Sequence, residues 1–397
     1  MAEEAAGVVV DLHAHYPMHL IPPSEASVVR LIVSRRERTR WRDRMRALLT
    51  EAGSRLWNYP SPAAGPAVTV PLMRAGRVGA VLSVLYVPLD EMDLSCAYGS
   101  PPNPDYFPRL LRQLELVEAH VGAAHGDAVR IARTPTELEA ARDQGRLALV
   151  HCVEGGFHLG ATPGEVEGNV ARLAERGVAY IGLAHLFWRG VATNVAALPF
   201  LPDWVYHLLF PQPARGLTVL GEAALRAMVR HGILVDVTHM SARSFDDALE
   251  LMDELDPQRR VPAIASHMAC RFGHLEYNLT DDQIERLARR DGAMGVILCD
   301  HFVKEGLRHR RTRTFEESLE AICRHVDRIR EITGSHRHAA IGSDLDGYIK
   351  PTLAGLDDMS AMAALREGLR RRYGDDADAI CQGNALRVLR AGWAAGA

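Results

Sequence analysis

No apolar stretch in this sequence reaches the about 18 residues that a membrane-spanning helix requires, so no transmembrane span is expected. The N-terminus, Met-Ala-Glu-Glu-Ala-Ala, has neither the basic start nor the apolar run of a secretory signal. The six cysteines (Cys96, Cys152, Cys270, Cys299, Cys323, Cys381) form no C-x-x-C pair and no framework spacing, which fits reduced thiols in a cytoplasmic protein. Lysine is nearly missing: Lys304 and Lys350 are the only two, and the basic complement is otherwise arginine. A net charge of −4 gives no support for a nucleic-acid partner. At 47% hydrophobic and 24% charged, the composition excludes a disordered or fibrous chain. What the chain has in quantity is histidine, with 18.

Its 397 residues would fill two or three domains of about 150 residues, or one (β/α)8 barrel, a fold that runs from about 200 to over 400 residues. Short apolar runs recur at 7–12, 79–87, 147–153, 179–183, 232–237, 261–265, 293–298 and 339–342. They are continuous rather than alternating, as parallel strands buried on both faces are. Amphipathic stretches separate them, among them 108–121, 165–176, 221–230, 243–255, 280–290, 314–332 and 375–390. With no internal repeat, low-complexity linker or composition break, this alternation predicts an α/β fold: a single TIM-type barrel domain over 1–397, with a helical insertion at 21–67 after the first strand.

The polar residues that end these runs carry the chemistry. Run one ends in Asp11-Leu-His13-Ala-His15 and run three in His151-Cys-Val-Glu154. Run four ends in His185, run five in Thr238-His239, run six in Ser266-His267 and run eight in Ser343-Asp344-Leu-Asp346. In a TIM barrel all strand C-termini meet at one mouth, where catalytic residues sit. His13 and His15 are two apart on a strand, so both can face one ion, and His239 and His267 could hold a second. Imidazole and carboxylate donors together suit zinc or a similar metal. A carboxylated lysine after strand four, one known bridge between two metals, is excluded because no lysine lies there. Glu154 is the available anionic bridge. Asp344 can ligate a metal and also accept a proton from bound water, whose pKa falls toward about 7.

Several blocks resemble the membrane (renal-type) dipeptidase family of the amidohydrolase superfamily. They are Val153-Glu-Gly-Gly156, Gly216-Leu-Thr218 with Gly221, and Gly232-Ile-Leu-Val-Asp-Val-Thr-His239. Ser266-His267, Asn278-Leu-Thr-Asp-Asp-Gln-Ile284, Gly342-Ser-Asp-Leu-Asp-Gly347, and Gly383-Asn384 with Leu386-Arg-Val388 complete the set. The resemblance implies His13, Glu154 and Asp344 at one metal, and Glu154, His239 and His267 at the other. It implies catalytic roles for Asp344, Glu154 and His185, with His185 holding the substrate and its tetrahedral intermediate, and it places Asp346 beside the substrate. The implied activity is hydrolysis of the amide bond of a dipeptide or dipeptide-like small molecule by a hydroxide bridging two divalent ions, with zinc and a homodimer expected. Three departures stand out. The family's His-x-Asp is His13-Ala-His15 here, so His15 is the candidate ligand. Its carboxylate-binding arginine is Tyr277, with Arg271 a few residues away as a substitute. Its tyrosine after strand seven is Cys299, followed by Asp300. The metal machinery is kept while the dipeptide-reading groups change. A lactone, cyclic amide or phosphoester hydrolase is the alternative, favoured slightly by His-x-His, and an inactive binding protein is a third reading.

The insertion is rich in arginine: Arg30, Arg35, Arg36, Arg38, Arg40, Arg42, Arg44, Arg46 and Arg55 fall within 27–56. Its helical periodicity offers Val29, Ile32, Val33, Trp41, Met45, Leu48 and Leu49 as an apolar face. A solvated charged helix is the first reading, a lid or subunit contact the second, and an anion-binding role the third. Phe200, Trp204, Tyr206 and Phe210 in 191–214 either wall the mouth or simply pack a loop.

Overall fold

All eight apolar runs become strands of one parallel sheet in the computed structural model, which describes residues 8–20, 40–56, 65–91, 96–199, 201–305, 311–347 and 351–393. In chain order the strands are β1 (Val9–Ala14), β2 (Val78–Leu85), β3 (Val129–Ile131), β4 (Leu147–Glu154) and β5 (Tyr180–Gly182). β6 (Leu234–Asp236), β7 (Ala263–Met268), β8 (Ala293–Val296) and β9 (Ala339–Ile341) follow. β1 pairs with β2, β2 with β4, and the remainder in sequence through β9, which returns to β1 and closes the barrel. β3, which the sequence did not signal, lies on the first half of β4, pairing Val129 with Leu147 and Ile131 with Leu149. β5 joins β4 only further on, at Val153.

Alternation along β4 shows how the layers form. Leu147, Leu149 and Val153 belong to the outer core, with helix residues such as Leu114, Val117, Val170 and Met228. Ala148, Val150 and Cys152 belong to a second core with Leu12, Leu82, Val84, Tyr180 and Ile264. Both faces are therefore apolar, which is why the runs are continuous. Five of the expected helices are Tyr106–Ala124, Pro163–Glu175, Ala242–Leu255, Asp281–Arg289 and Phe315–Thr333, and a sixth is Val219–His231. Threonine or serine caps five of these six starts, at Thr162, Thr218, Ser241, Thr280 and Thr314. Each such cap is worth about 1 kcal/mol.

The last stretch differs from expectation. A helix at Met362–Tyr373 precedes it, and 375–390 is broken by a wide turn of π-helix at Ala379–Gly383. Asn384, just after that turn, donates to the carbonyls of His336 and Ala339 at 2.7 Å each, so the Gly383-Asn384 block anchors the C-terminal helix to the barrel.

Within the insertion, Trp41–Leu56 is helical, while 21–39 and 57–64, with Arg30, Arg35, Arg36 and Arg38, lie outside the described residues. Of its expected apolar face, Val29, Ile32 and Val33 also lie outside the described residues, and the rest is turned outward: Trp41 is 69% exposed and Leu48 54%. Arg46 ties the helix down, donating to the Leu209 carbonyl at 2.7 Å with its guanidinium over the Tyr98 ring. Tyr206 and Phe210 pack against Phe187 in the core, and Trp204 points out. Phe200 lies outside the described residues. Cys152, Cys270, Cys299, Cys323 and Cys381 are buried free thiols.

One ion-pair cluster ties the helix layer to the strands. Glu118 of Tyr106–Ala124 meets Arg133 at 2.8 Å, Arg176 at 2.7 Å and His151 of β4 at 3.6 Å. His151 and then Arg133 hold its carboxyl down to about 2, from an ordinary 4.5. A depressed carboxylate stabilises the fold above its unfolded pKa and loses that contribution as pH falls through the folded value. Glu118→Gln should therefore melt lower than the wild type by a constant margin above about pH 4.5, closing as pH approaches about 2. A margin that does not change with pH in paired melting curves would contradict this account of Glu118.

Candidate metal centre

Glu154, at the last position of β4, is almost fully buried, and five imidazoles point at it. From Glu154 Oε1, His13 Nε2 is 3.5 Å away, and His239 and His267 Nε2 are each 3.6 Å away. From Oε2, His15 Nε2 is 3.5 Å away and His185 Nε2 3.3 Å. Asp344 closes the group, with its Oδ1 3.1 Å from His15 Nε2 and 3.7 Å from His13 Nε2. All six expected ligands and His185 thus meet at the C-terminal mouth. His151, three residues before Glu154, faces the opposite way toward Glu118, because side chains alternate along a strand.

The local backbone explains the convergence. Gly155 turns the chain after Glu154 at φ 91°, where any Cβ would fall 2.2 Å from the Phe157 ring. His239 (φ 65°) and Asp344 (φ 55°) adopt left-handed conformations, tolerated best by Asn, Asp and His among non-glycine residues. Gly347 clears space for Asp344, since a Cβ there would lie 2.1 Å from its Oδ1. The Asp344 amide donates to the His13 carbonyl at 2.8 Å, and Asp11 accepts from the amides of His13 and Ser343, so β1 and the loop after β9 are braced together.

The ring orientations suit cation binding. His13 Nδ1 donates to Tyr180 Oη at 2.7 Å, and that hydroxyl donates onward to the Leu12 carbonyl. His267 Nδ1 donates to Ser266 Oγ at 2.9 Å, which donates to Asp236 Oδ2 at 2.5 Å. Such outer hydrogen bonds fix the tautomer that leaves the Nε2 lone pair facing a metal. Burial pushes His13 and His267 well below the usual histidine range, which keeps them neutral. The Nε2 atoms approach pairwise, His13 to His15 at 3.2 Å and His239 to His267 at 3.1 Å. Two nitrogens on one tetrahedral zinc-sized ion, at 2.0–2.1 Å each, stand about 3.3 Å apart. Glu154 Oε2 is buried with no hydrogen-bond partner, another mark of a ligand atom. Three groups of donors lie close enough to share an ion: His13-His15-Asp344, His13-Glu154-His267 and Glu154-His185-His239. The residues present fit divalent metal.

The electrostatics divide the group. Burial opposes ionisation of Glu154, but the surrounding histidines, His185 and His13 foremost, hold it well below the usual carboxylate range. Burial raises Asp344, with His15 pulling the other way. Burial would lower His185, yet the carboxylates of Glu154 and Glu91 push it up to about 9.

The expected substrate-side residues divide differently. Tyr277 is buried, its hydroxyl donating to the His267 carbonyl at 2.6 Å and its ring stacked on Phe302. Arg271 donates Nε to the Asn278 carbonyl and a terminal nitrogen to the Glu276 carbonyl. Asp346 accepts from the amides of Ala67 and Val68, holding the end of the insertion. In each case backbone groups take the polar atoms, and neither Arg271 nor Asp346 joins the cluster. Cys299 is buried at the start of Asp300–Val303, and Asp300 accepts from the amide and hydroxyl of Thr312. The sequence reading passed over Glu91, Tyr86 and Tyr180. Tyr86 directly follows β2, the one strand among the first six runs whose polar end was not considered.

A sequence profile described as membrane dipeptidase (peptidase family M19) matches residues 54–395. Dipeptidase verJ of Clonostachys rogersoniana is 27% identical over 80% of this chain and 74% of its own length. Dipeptidase 3 of Mus musculus is 26% identical over 80% of this chain and 56% of its own. Among solved structures, a metallo peptidase from Rhodobacter sphaeroides liganded with a phosphinate mimic of the dipeptide L-Ala-D-Ala superposes with a TM-score of 0.69 at 19% identity, covering 97% of this chain and 99% of that one.

Proposed function

The chain belongs to the membrane dipeptidase family, a family of metal-dependent hydrolases, and we propose that it uses two divalent ions, zinc by its donor set, to cleave the amide bond of a dipeptide-like small molecule. The observation that carries this reading is Glu154, with the Nε2 atoms of five histidines within 3.6 Å of its two oxygens. His13, His15, Asp344 and Glu154 would hold one ion, and Glu154, His239 and His267 the other. Bound there, the ions would polarise the scissile carbonyl and acidify the attacking water. The chain's own groups do the rest. Asp344 takes the proton from water at a carboxylate oxygen and returns it to the leaving nitrogen. His185 Nε2 donates to the carbonyl oxygen as it gains charge. The side chains of the cluster are all buried, which strengthens both interactions.

Tyr277 and Arg271 bear on which amide is cleaved. A free substrate carboxylate calls for a charged, preferably bidentate partner. Tyr277 spends its hydroxyl on His267, and Arg271 spends its guanidinium on carbonyls. We therefore expect C-terminal amidation of a dipeptide to change kcat/KM by less than about threefold, whereas loss of a charge-assisted contact of about 1.5–3 kcal/mol would cost about 10- to 150-fold. A fall of that larger size on amidation would mean that another cation, such as an arginine of 27–56, reads the carboxylate. His15 in place of the family aspartate favours a second reading, hydrolysis of a lactone or phosphoester. A substrate panel of L-L and L-D dipeptides, their amides, lactones and phosphoesters tests both. Turnover of amides supports the proposal, and turnover confined to esters overturns it.

A further inference from the structure

His185 is held by a carboxylate that the reaction scheme does not use. β2 ends at Leu85, and the chain then runs through Tyr86 into a single turn, Pro88–Glu91. Glu91 is 2% exposed. Its Oε2 accepts from His185 Nδ1 at 2.7 Å and from the Tyr86 hydroxyl at 2.5 Å, and its Oε1 accepts from the Phe187 amide at 2.8 Å. A buried carboxylate is costly unless it is bonded in this way, and an apolar side chain would fill the place at less cost. The arrangement is specific to the imidazole. The Phe187 bond fixes Glu91 to the backbone two residues beyond His185 itself. The rings of Tyr86 and His239 stand edge-on to His185, at 4.6 Å and 4.7 Å between centroids. The imidazole is therefore held by two neighbouring rings and at Nδ1, and its Nε2 lies 3.3 Å from Glu154 Oε2.

We infer that Glu91 is a positioning residue: it holds the Nδ1 proton of His185 and aims Nε2–H at the substrate oxygen, with Tyr86 steadying Glu91 in turn. The inference rests on the hydrolase reading above. A carboxylate behind an imidazole orients the ring and favours its protonated form, so that the far nitrogen carries the proton it donates. Glu91 belongs to none of the donor groups and meets the cluster through His185, so its effect on the reaction is expected to pass through that ring.

That last property makes it testable by a double-mutant cycle on metal-loaded protein, using the best amide substrate of the panel and a phosphinate dipeptide mimic as a tetrahedral probe. Glu91→Gln should lower kcat about 100-fold, the low end of what an oxyanion donor contributes, with KM within about threefold. Phosphinate affinity should fall by a similar factor, while metal content stays at the wild-type value. His185→Asn should be at least as impaired, and the double variant no worse than His185→Asn by more than about threefold, because groups acting as a unit are not additive. Should Glu91→Gln fail to fold, Tyr86→Phe carries the test, with an expected loss of about fivefold in kcat for one hydrogen bond of about 1 kcal/mol, again absent in the His185→Asn background. A kcat within about twofold of wild type in the variant that folds, or losses that multiply in the double variant, would overturn the inference. If His185→Asn is impaired while Glu91→Gln is silent, this inference alone fails. If wild-type protein neither cleaves any amide of the panel nor binds the phosphinate, the hydrolase reading fails and takes the inference with it.

Discussion

Replacing Glu154 with alanine is expected to weaken metal binding in both halves of the centre and to cut turnover severely. Four proposed ligand nitrogens, on His13, His15, His239 and His267, lie 3.5–3.6 Å from this one carboxylate, and its two oxygens are the anionic element common to both halves of the cluster. Without it, one half keeps three side-chain ligands and the other keeps two, where a stable zinc site takes three or four. Metal content should fall from about two equivalents per chain to below about one, and kcat by more than about 10³-fold, the several kcal/mol that Lewis-acid activation supplies. Glu154→Gln keeps the volume and removes the charge, so it separates loss of metal from loss of fold. Wild-type metal content in both variants would show that Glu154 is not a ligand.

Asp344→Asn is expected to have the next largest effect, and a different signature. Asparagine tolerates the left-handed backbone at φ 55° as well as aspartate does, and its carbonyl oxygen can still meet a metal. It cannot take a proton from water. Substrate KM and phosphinate affinity should therefore stay within about threefold, while kcat falls about 10²- to 10⁴-fold, the range of general acid–base contributions. Unchanged turnover would mean that another group moves the proton. Loss of metal together with turnover would make Asp344 chiefly a ligand.

The barrel was legible because its strands are buried on both faces, and such strands must be continuously aliphatic. β3 was not, because a three-residue strand with an exposed Arg130 at its centre has too little apolar character to register. The break at Ala379–Gly383 was equally hidden, since its cause is tertiary: Asn384 reaching back to His336 and Ala339.

The cluster was legible for a related reason. His13, Glu154, His185, His239, His267 and Asp344 each sit at a strand terminus or just past one, and the fold carries every such position to the same mouth. The alternation of a strand could also have separated His151 from Glu154, an odd number of residues apart. Arg271, Tyr277 and Asp346 were different. Local sequence places them near the mouth, but nothing in it tells whether a polar atom will face substrate or a backbone group, and all three face backbone groups. Glu91 lay beyond reach because it meets His185 only through the fold, 94 residues apart.

The central claim, a binuclear centre that hydrolyses amides, is tested most directly by titrating metal-free protein with zinc while following hydrolysis of the best amide substrate. Activity should be absent at the start, rise with added zinc and saturate near about two equivalents per chain. Hydrolysis that proceeds at full rate before any metal is added, or that never appears at any stoichiometry across the panel, would contradict it.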